Sequence, residues 1–253
     1  MPHSVGSATA AERPRLVLLH GFTQSASSWR PVLPHLAGFD VQALDLPGHG
    51  ASGERAAGLV DGAAQLAAAG GKGTWVGYSM GGRFALHVAL ARPDLVERLV
   101  LIGAHPGIES DSERSARRRA DEALAARIVS VGLPTFLEEW LAQPLFARLA
   151  DEARGLESRL GNRPEALAAA LVRAGAGAQE PAWPRLHSLE MPLLYVVGQH
   201  DAKYRAVGAR LVAAVKKGTL AVVPGAGHSV PFERPQAFAA ALRDWLGERP
   251  ATR

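Results

Sequence analysis

Ser79 has the sequence context that serine-based catalysis requires. It is the centre of the G-x-S-x-G pattern at residues 77–81, and this pattern directly follows the short apolar run 74–76. A helix-like pattern continues over residues 81–91. In this context the pattern predicts a tight turn from strand to helix that exposes the serine hydroxyl above a sheet. A plain glycine-rich turn between a strand and a helix is the alternative.

An aspartate and a histidine follow two later apolar runs, in the order that would complete a catalytic triad. Asp201 comes shortly after the predicted strand 193–198, and His228 comes shortly after the predicted strand 219–223. Serine, then acid, then histidine, each just beyond the carboxyl end of a strand, is the triad order of α/β-hydrolases. The sequence therefore predicts a triad of Ser79, Asp201 and His228. In the alternative interpretation, Asp201 only caps a helix and His228 is an ordinary loop residue.

The elements that must position these side chains alternate along the chain. Apolar runs rich in valine and leucine predict strands at residues 15–20, 41–46, 74–78, 98–103, 193–198 and 219–223. Helical patterns separate most of them, at residues 28–36, 58–69, 81–91, 203–215 and 235–246. This alternation predicts a doubly wound α/β fold around a mostly parallel sheet. Because only residues 1–14 precede the first strand, we expect the antiparallel edge strands usual in this fold to be reduced or missing.

Between residues 104 and 187 the alternation stops, and four helical patterns follow one another. They cover residues 111–129, 134–143, 151–160 and 163–175. An all-helical insertion at this point predicts a cap over the carboxyl ends of the strands, where a lid shapes a pocket and excludes water. We therefore divide the chain into an α/β core of residues 1–107 and 188–253 and a cap of residues 108–187. A helical excursion without a role in function is the alternative.

Composition narrows the class of protein. The 253 residues are 47% hydrophobic and 21% charged, which is typical of one globular domain with an insertion. Since there is no cysteine, disulfides, thiolate catalysis and cysteine-ligated metals are excluded. Residues 1–14 lack the apolar segment of a signal peptide and no run is long enough to span a bilayer, so we expect a cytoplasmic protein without a membrane partner.

The net charge of +4 comes from basic residues spread along the chain. A nucleic-acid-binding surface would instead concentrate them in a stripe. We therefore expect no nucleic-acid partner and favour an acidic small molecule.

Several residues near the predicted serine could bind an anion. The backbone N–H groups of Phe22, after the first strand, and Met80, after the serine, predict a two-donor oxyanion hole. Arg83 lies in the first turn of the helix after Ser79, where the helix dipole disfavours a cation. Either an anionic substrate group or a structural ion pair would explain it. Lys203 is predicted to lie near the rim of the same pocket as Arg83.

The predicted cap adds further cations and aromatic rings. Arg114, Arg117 and Arg118 share one helical face. Cations gathered around a pocket would suit a polycarboxylate, and a solvated surface role is the alternative for each. Trp140 and Phe146 would form apolar walls of that pocket or pack within the cap.

The segments 19–22, 45–50 and 225–228 resemble the α/β-hydrolase superfamily as a whole. The segments 77–83, 103–107, 143–146 and 201–205, together with Trp140, are more specific to one branch of it. On these residues nearly the whole chain, from about Leu16 onward, resembles the 2-succinyl-6-hydroxy-2,4-cyclohexadiene-1-carboxylate synthases of the menaquinone pathway.

The resemblance implies a lyase that eliminates pyruvate from 2-succinyl-5-enolpyruvyl-6-hydroxy-3-cyclohexene-1-carboxylate, which carries three carboxylates, without a metal or an organic cofactor. It implies that His228, oriented by Asp201, deprotonates Ser79. The alkoxide then acts as a base on the ring carbon beside the succinyl ketone, and the enolate oxygen lies in the hole formed by Phe22 and Met80. The substrate-contacting residues that the resemblance implies are Tyr78, Arg83, Arg117, Trp140, Arg159 and Lys203.

Two other functions fit the same residues. A serine hydrolase acting on a small anionic substrate, either an esterase or a carbon–carbon bond hydrolase, would use the same triad, and only the arginines argue for the lyase instead. The second is a ligand-binding protein without catalysis, against which the intact triad argues. For the lyase we expect a monomer or a weak homo-oligomer.

Overall fold

The computed structural model describes residues 13–53 and 56–247, so most of the segment 1–14 lies outside the described residues. Its centre is one sheet of six parallel strands. The strands are β1 (Arg15–Leu19), β2 (Asp40–Leu44), β3 (Gly73–Tyr78), β4 (Val96–Ile102), β5 (Leu193–Gly198) and β6 (Gly218–Val223). Their order across the sheet is β2-β1-β3-β4-β5-β6. All six predicted strands are present, and the described residues contain no antiparallel edge strand.

The central strands β1, β3, β4 and β5 are largely buried on both faces because helices cover both sides of the sheet, whereas the edge strands β2 and β6 are more exposed. In β1, Leu16 and Leu18 belong to one apolar core, whereas Val17 and Leu19 belong to the other. This division follows from the strand geometry, in which successive side chains point to opposite faces. A strand with two buried faces carries apolar residues at consecutive positions, which explains the unbroken apolar runs of the sequence.

Nine α-helices lie within the described residues. They are α1 (Leu59–Gly70), α2 (Met80–Ala91), α3 (Asp111–Val131), α4 (Leu133–Leu141), α5 (Leu156–Leu160), α6 (Pro164–Ala174), α7 (Ala202–Ala214), α8 (Val230–Glu233) and α9 (Pro235–Leu246). The predicted α/β fold is therefore confirmed. None of these helices has both the length and the apolar composition needed to cross a membrane.

One predicted helix is wrong. Residues 28–36 do not form a continuous helix but two short 3-10 helices, Ala26–Trp29 and Leu33–Leu36. Pro31 and Pro34 explain the difference, because proline has no N–H to donate within a helix and disfavours helical backbone in the residue before it.

A second predicted helix, residues 151–160, is interrupted. It consists of a 3-10 helix, Asp151–Arg154, followed by α5. Gly155 lies between them with φ of 59°, in the left-handed region. This backbone conformation ends the first helix, and α5 begins after it.

Between β4 and β5, residues 103–192 form no strand and contain α3 to α6. These helices do not stand apart from the sheet. Ile128 of α3, Leu137 of α4 and Leu167 of α6 belong to the same apolar cluster as Leu101 of β4. The helical segment is thus anchored on the core through continuous apolar packing, while the division at residues 107 and 187 stays a prediction.

Candidate active site

Ser79 lies in the turn between β3 and α2 with φ of 52° and ψ of −108°. Such a backbone conformation is strained for a residue with a side chain and is typical of functional sites. The neighbouring glycines make the turn possible. A Cβ atom at Gly77 would lie 2.4 Å from the carbonyl oxygen of Gly81, and one at Gly81 would lie 2.4 Å from that of His20. The tight turn from strand to helix predicted for the G-x-S-x-G pattern is therefore present.

Asp201 and His228 lie together beyond the ends of β5 and β6. The Nδ1–H of His228 donates to Oδ2 of Asp201 at 2.7 Å, and both side chains are buried. The other oxygen of Asp201 accepts from the backbone N–H of Tyr204 at 3.2 Å and so caps α7. The capping role and the histidine contact are thus not alternatives, since each uses a different carboxylate oxygen.

The remaining nitrogen of His228 is available for chemistry. Its Nε2 is buried and has no hydrogen-bond partner among the described residues. Because Nδ1 donates to Asp201, Nε2 carries the lone pair that a general base needs. His228 and the half-buried Ser79 line the same cavity.

This reaction cavity has a volume of about 320 Å³ and lies between the carboxyl ends of the strands and the helical segment. Asp201 does not line it but binds His228. The other predicted site residues do line it: Phe22, Tyr78, Ser79, Met80, Arg83, Arg117, Trp140, Arg159, Lys203 and His228.

Arg83 is buried in the cavity wall, and no carboxylate of the described residues forms an ion pair with it. Only 8% of the residue is exposed, and its Nη1 donates to the backbone carbonyl of Ala174 at 2.7 Å. No ion pair of Arg83 exists within residues 13–53 and 56–247, so the structural ion pair considered above is absent from this part of the chain. Burial lowers the pKa of Arg83 to about 10, which still leaves the guanidinium protonated at neutral pH.

Arg159, at the end of α5, is a second buried cation. It is 2% exposed, and burial lowers its pKa to about 10. Its Nη1 donates to the Thr23 hydroxyl and, at 3.3 Å, to the carbonyl oxygen of Phe22, while its Nε donates to the carbonyl oxygen of Arg154. Like Arg83, it has no carboxylate partner in the described part of the chain. Arg159 therefore holds the loop after β1 and adds positive charge to the cavity.

The three arginines that share one face of α3 do not act alike. Only Arg117 lines the cavity, and its Nε also pairs with the buried Asp121 at 2.7 Å. Arg114 pairs with Asp111, and Arg118 donates to a backbone carbonyl. Lys203, at the start of α7, lines the cavity near its rim and is largely exposed.

Two aromatic residues bring polar groups to the cavity wall. The Trp140 ring packs edge-on against Phe22 at 5.3 Å between centroids, and its Nε1 is buried without a partner in the described residues. A buried N–H of this kind is available to donate to a ligand. The Tyr78 hydroxyl lies 2.8 Å from the Ser229 hydroxyl, and burial raises the pKa of Tyr78, so the phenol stays neutral.

The two predicted oxyanion donors, Phe22 and Met80, follow the neighbouring strands β1 and β3. Met80 is the first residue of α2, where a backbone N–H has no acceptor within the helix. Phe22 follows β1, which pairs with β3 in the sheet, so the two residues line the same cavity. Their joint role as donors stays a prediction.

Residues not singled out from the sequence also line the cavity, including Gln24, Gln143 and Tyr204. Gln143 and Tyr204 lie in segments that carry the family resemblance, and this resemblance could have identified them as lining residues. For Gln24 no such signal exists, because its place depends on how the loop after β1 folds; its side chain accepts from the backbone N–H of Gly21 at 2.8 Å.

Comparison with known proteins agrees with this architecture. The α/β hydrolase fold family matches residues 14–235. The chain is 35% identical over 241 residues to the 2-succinyl-6-hydroxy-2,4-cyclohexadiene-1-carboxylate synthase of Enterobacter sp. (strain 638), with 92% of each chain covered. The structure of MenH from S. aureus superimposes with a TM-score of 0.87, at 26% identity and 96% coverage of both chains.

A malate-bound thermophilic esterase from Thermogutta terrifontis superimposes with a TM-score of 0.78, at 27% identity, over 93% of this chain and 90% of that one. The chain belongs to the α/β-hydrolase fold family and, within it, to the 2-succinyl-6-hydroxy-2,4-cyclohexadiene-1-carboxylate synthases.

The close backbone contacts at the Ser79 turn lead to a first prediction. Gly81→Ala should lower the free energy of unfolding by about 1–3 kcal/mol, because its Cβ would meet backbone atoms that cannot move independently. Gly58→Ala is the control, since a Cβ there would lie 3.6 Å from its nearest neighbour; it should cost less than about 1 kcal/mol. Urea unfolding measures both, and equal effects would contradict the tight packing of the turn.

Proposed function

We propose that this protein is a lyase that eliminates pyruvate from 2-succinyl-5-enolpyruvyl-6-hydroxy-3-cyclohexene-1-carboxylate. The product is 2-succinyl-6-hydroxy-2,4-cyclohexadiene-1-carboxylate, in menaquinone (vitamin K2) biosynthesis. The family membership supports this reaction, and one observation in the structure supports the substrate class. Arg83 and Arg159 are buried in the cavity that contains Ser79, and neither has a carboxylate partner in the described residues.

Burial of a cation that forms no ion pair is costly, because the charge loses hydration. For Arg83 the nearby Asp121, which pairs with Arg117, offsets this cost only in part. Both arginines nevertheless remain protonated, since a pKa of about 10 lies well above neutral pH. A substrate with several carboxylates would supply the missing anions at the moment of binding. A neutral ester would leave both cations uncompensated, so the cavity favours a polyanionic substrate.

In the proposed reaction, Ser79 is a base rather than a nucleophile. His228 Nε2 takes the Ser79 proton, and the alkoxide removes the proton from the ring carbon beside the succinyl ketone. The electron pair of that C–H bond forms a new ring double bond, the existing ring double bond shifts, and the C–O bond to the enolpyruvyl group breaks. Pyruvate leaves as its enolate and takes up the proton from His228. No metal or organic cofactor enters this sequence.

The hydrogen bond between Asp201 and His228 supports the roles proposed for these two triad members. Asp201 fixes the His228 tautomer by accepting from Nδ1–H, and it stabilises the imidazolium that forms when Nε2 takes a proton. Charge that develops on the ketone oxygen during proton removal would be stabilised by the backbone N–H groups of Phe22 and Met80. These residue roles, a cytoplasmic location and a monomeric or weakly oligomeric state are parts of the proposal.

A serine hydrolase of a small anionic substrate is the second candidate. The observation that favours it is the similarity to the malate-bound esterase, a relative of the same fold whose structure holds a dicarboxylate. In that case the Ser79 alkoxide would attack a carbonyl carbon and form an acyl-enzyme.

An assay of both activities separates the two candidates. The purified protein should release pyruvate from the enolpyruvyl precursor with a kcat/KM far above that for a p-nitrophenyl ester. Ser79→Ala, His228→Ala and Asp201→Asn should each lower turnover by orders of magnitude, and their effects should not add, because the three residues act as one unit. Ester hydrolysis without pyruvate release would reject the lyase. Near wild-type turnover in Ser79→Ala, with the fold verified by circular dichroism, would reject the triad.

Substitution of Arg83 tests the anionic pocket. Arg83→Ala should lower kcat/KM for pyruvate release by about ten- to a hundredfold, because a charge-assisted contact to a carboxylate is worth roughly 1.5–3 kcal/mol. Arg98→Ala is a matched control, since Arg98 is half-buried near the start of β4 and does not line the reaction cavity. Similar small effects of the two substitutions would mean that Arg83 does not bind substrate.

A further inference from the structure

The His228 imidazole is enclosed by more than its contact with Asp201. The Tyr204 ring packs against it with 4.6 Å between centroids and a tilt of 42°, and the Tyr78 ring packs against it at 5.5 Å and 52°. The backbone of Gly103 approaches the ring as well, since a Cβ at this position would lie 2.8 Å from Cε1 of His228. The imidazole is therefore held by one hydrogen bond and by packing.

The hydrogen bond alone does not determine the ring orientation. It holds Nδ1, whereas Nε2 has no hydrogen-bond partner in the described residues. An imidazole held by its Cβ–Cγ bond and by one hydrogen bond can still tilt about the line that joins these two points. The direction of Nε2 therefore depends on the groups packed against the faces and edges of the ring, and small errors in that direction are costly for proton transfer.

The two tyrosines are themselves fixed, although by different elements. Tyr78 ends β3, and its hydroxyl lies 2.8 Å from the Ser229 hydroxyl. Tyr204 lies in the first turn of α7, and its backbone N–H donates to Asp201, the same residue that binds His228. The position of Tyr204 is thus coupled to the triad through both its backbone and its side chain.

We propose that Tyr204 is a positioning residue for the reaction of Ser79, because its ring holds the His228 imidazole with Nε2 available to the serine hydroxyl. The proposal builds on the proposed function in that it concerns the same triad. The ring carries this role and the hydroxyl does not. Burial raises the pKa of Tyr204, so the phenol stays neutral among the nearby charges of Arg83 and Arg117. A phenylalanine at this position should therefore preserve the positioning.

Covalent labelling of Ser79 by phenylmethylsulfonyl fluoride tests the proposal, because this uncharged reagent needs an activated serine but not the natural substrate. Tyr204→Leu should be labelled about tenfold more slowly than the wild type, the upper end of what one aromatic contact contributes. Tyr204→Phe should retain a rate within about twofold of the wild type, since it keeps the ring contact. Mass spectrometry of the intact protein gives the labelling rate.

Val207→Ala is the matched control, because Val207 lies one turn further along α7, is half-buried and packs against the apolar core. Its labelling rate should equal that of the wild type. Thermal unfolding verifies that each variant is folded, and Tyr204→Met replaces Tyr204→Leu if the latter does not fold. A folded leucine or methionine variant that is labelled at the wild-type rate would overturn the proposal. An equal loss in Tyr204→Phe would also overturn it, because the hydroxyl would then carry the effect.

This labelling does not depend on pyruvate release. If the labelling pattern is found but no pyruvate forms from the enolpyruvyl precursor, the proposed lyase function fails while the role of Tyr204 stands. If pyruvate forms and the variants are labelled equally, the proposed lyase function stands while the role of Tyr204 fails.

Discussion

The left-handed backbone at Ser79 is the constraint on which the rest of the site depends. With φ of 52°, the serine turns the chain from β3 into α2 within one residue, so its side chain lies at the carboxyl edge of the sheet. This turn requires the helix to approach β1 so closely that Gly81 has no room for a Cβ. Because β1 pairs directly with β3, the loop that carries Phe22 follows at the same edge. The serine and the predicted oxyanion donors are thus brought together by sheet topology.

The burial of two cations in the site costs folding free energy. Arg83 and Arg159 are buried with backbone and hydroxyl acceptors in place of acids, which stabilises them less than a carboxylate would. Arg159 comes from the helical segment between β4 and β5 but binds the carbonyl oxygen of Phe22 in the core. The same residue therefore fixes the loop after β1 and contributes charge to the cavity. The polyanionic substrate proposed above would supply the carboxylates that both arginines lack.

Much of this architecture follows from the sequence, because buried parallel strands and strand-end residues leave strong local signals. The six apolar runs predicted the strands, and the order of Ser79, Asp201 and His228 predicted their meeting at one edge of the sheet. The prediction was wrong where two local signals disagreed. The pattern of residues 28–36 favours a helix, but Pro31 and Pro34 interrupt it. Local signals also could not distinguish Arg117, which lines the cavity, from Arg114 and Arg118. Helical spacing does not reveal that Arg114 pairs with a carboxylate and that Arg118 donates to a backbone carbonyl. The contact of Tyr204 with the imidazole likewise depends on how α7 packs beside β6.

Mass spectrometry of the protein quenched during turnover tests whether Ser79 acts as the proposed base. A base returns to its original state without forming a bond to carbon, so the peptide that contains Ser79 should keep its unmodified mass while pyruvate accumulates. Slowing of the reaction by deuterium at the ring carbon beside the ketone would accompany this result if proton removal limits the rate. A substrate-derived mass increase on the peptide that contains Ser79 would contradict the base mechanism, because it would identify the serine as a nucleophile.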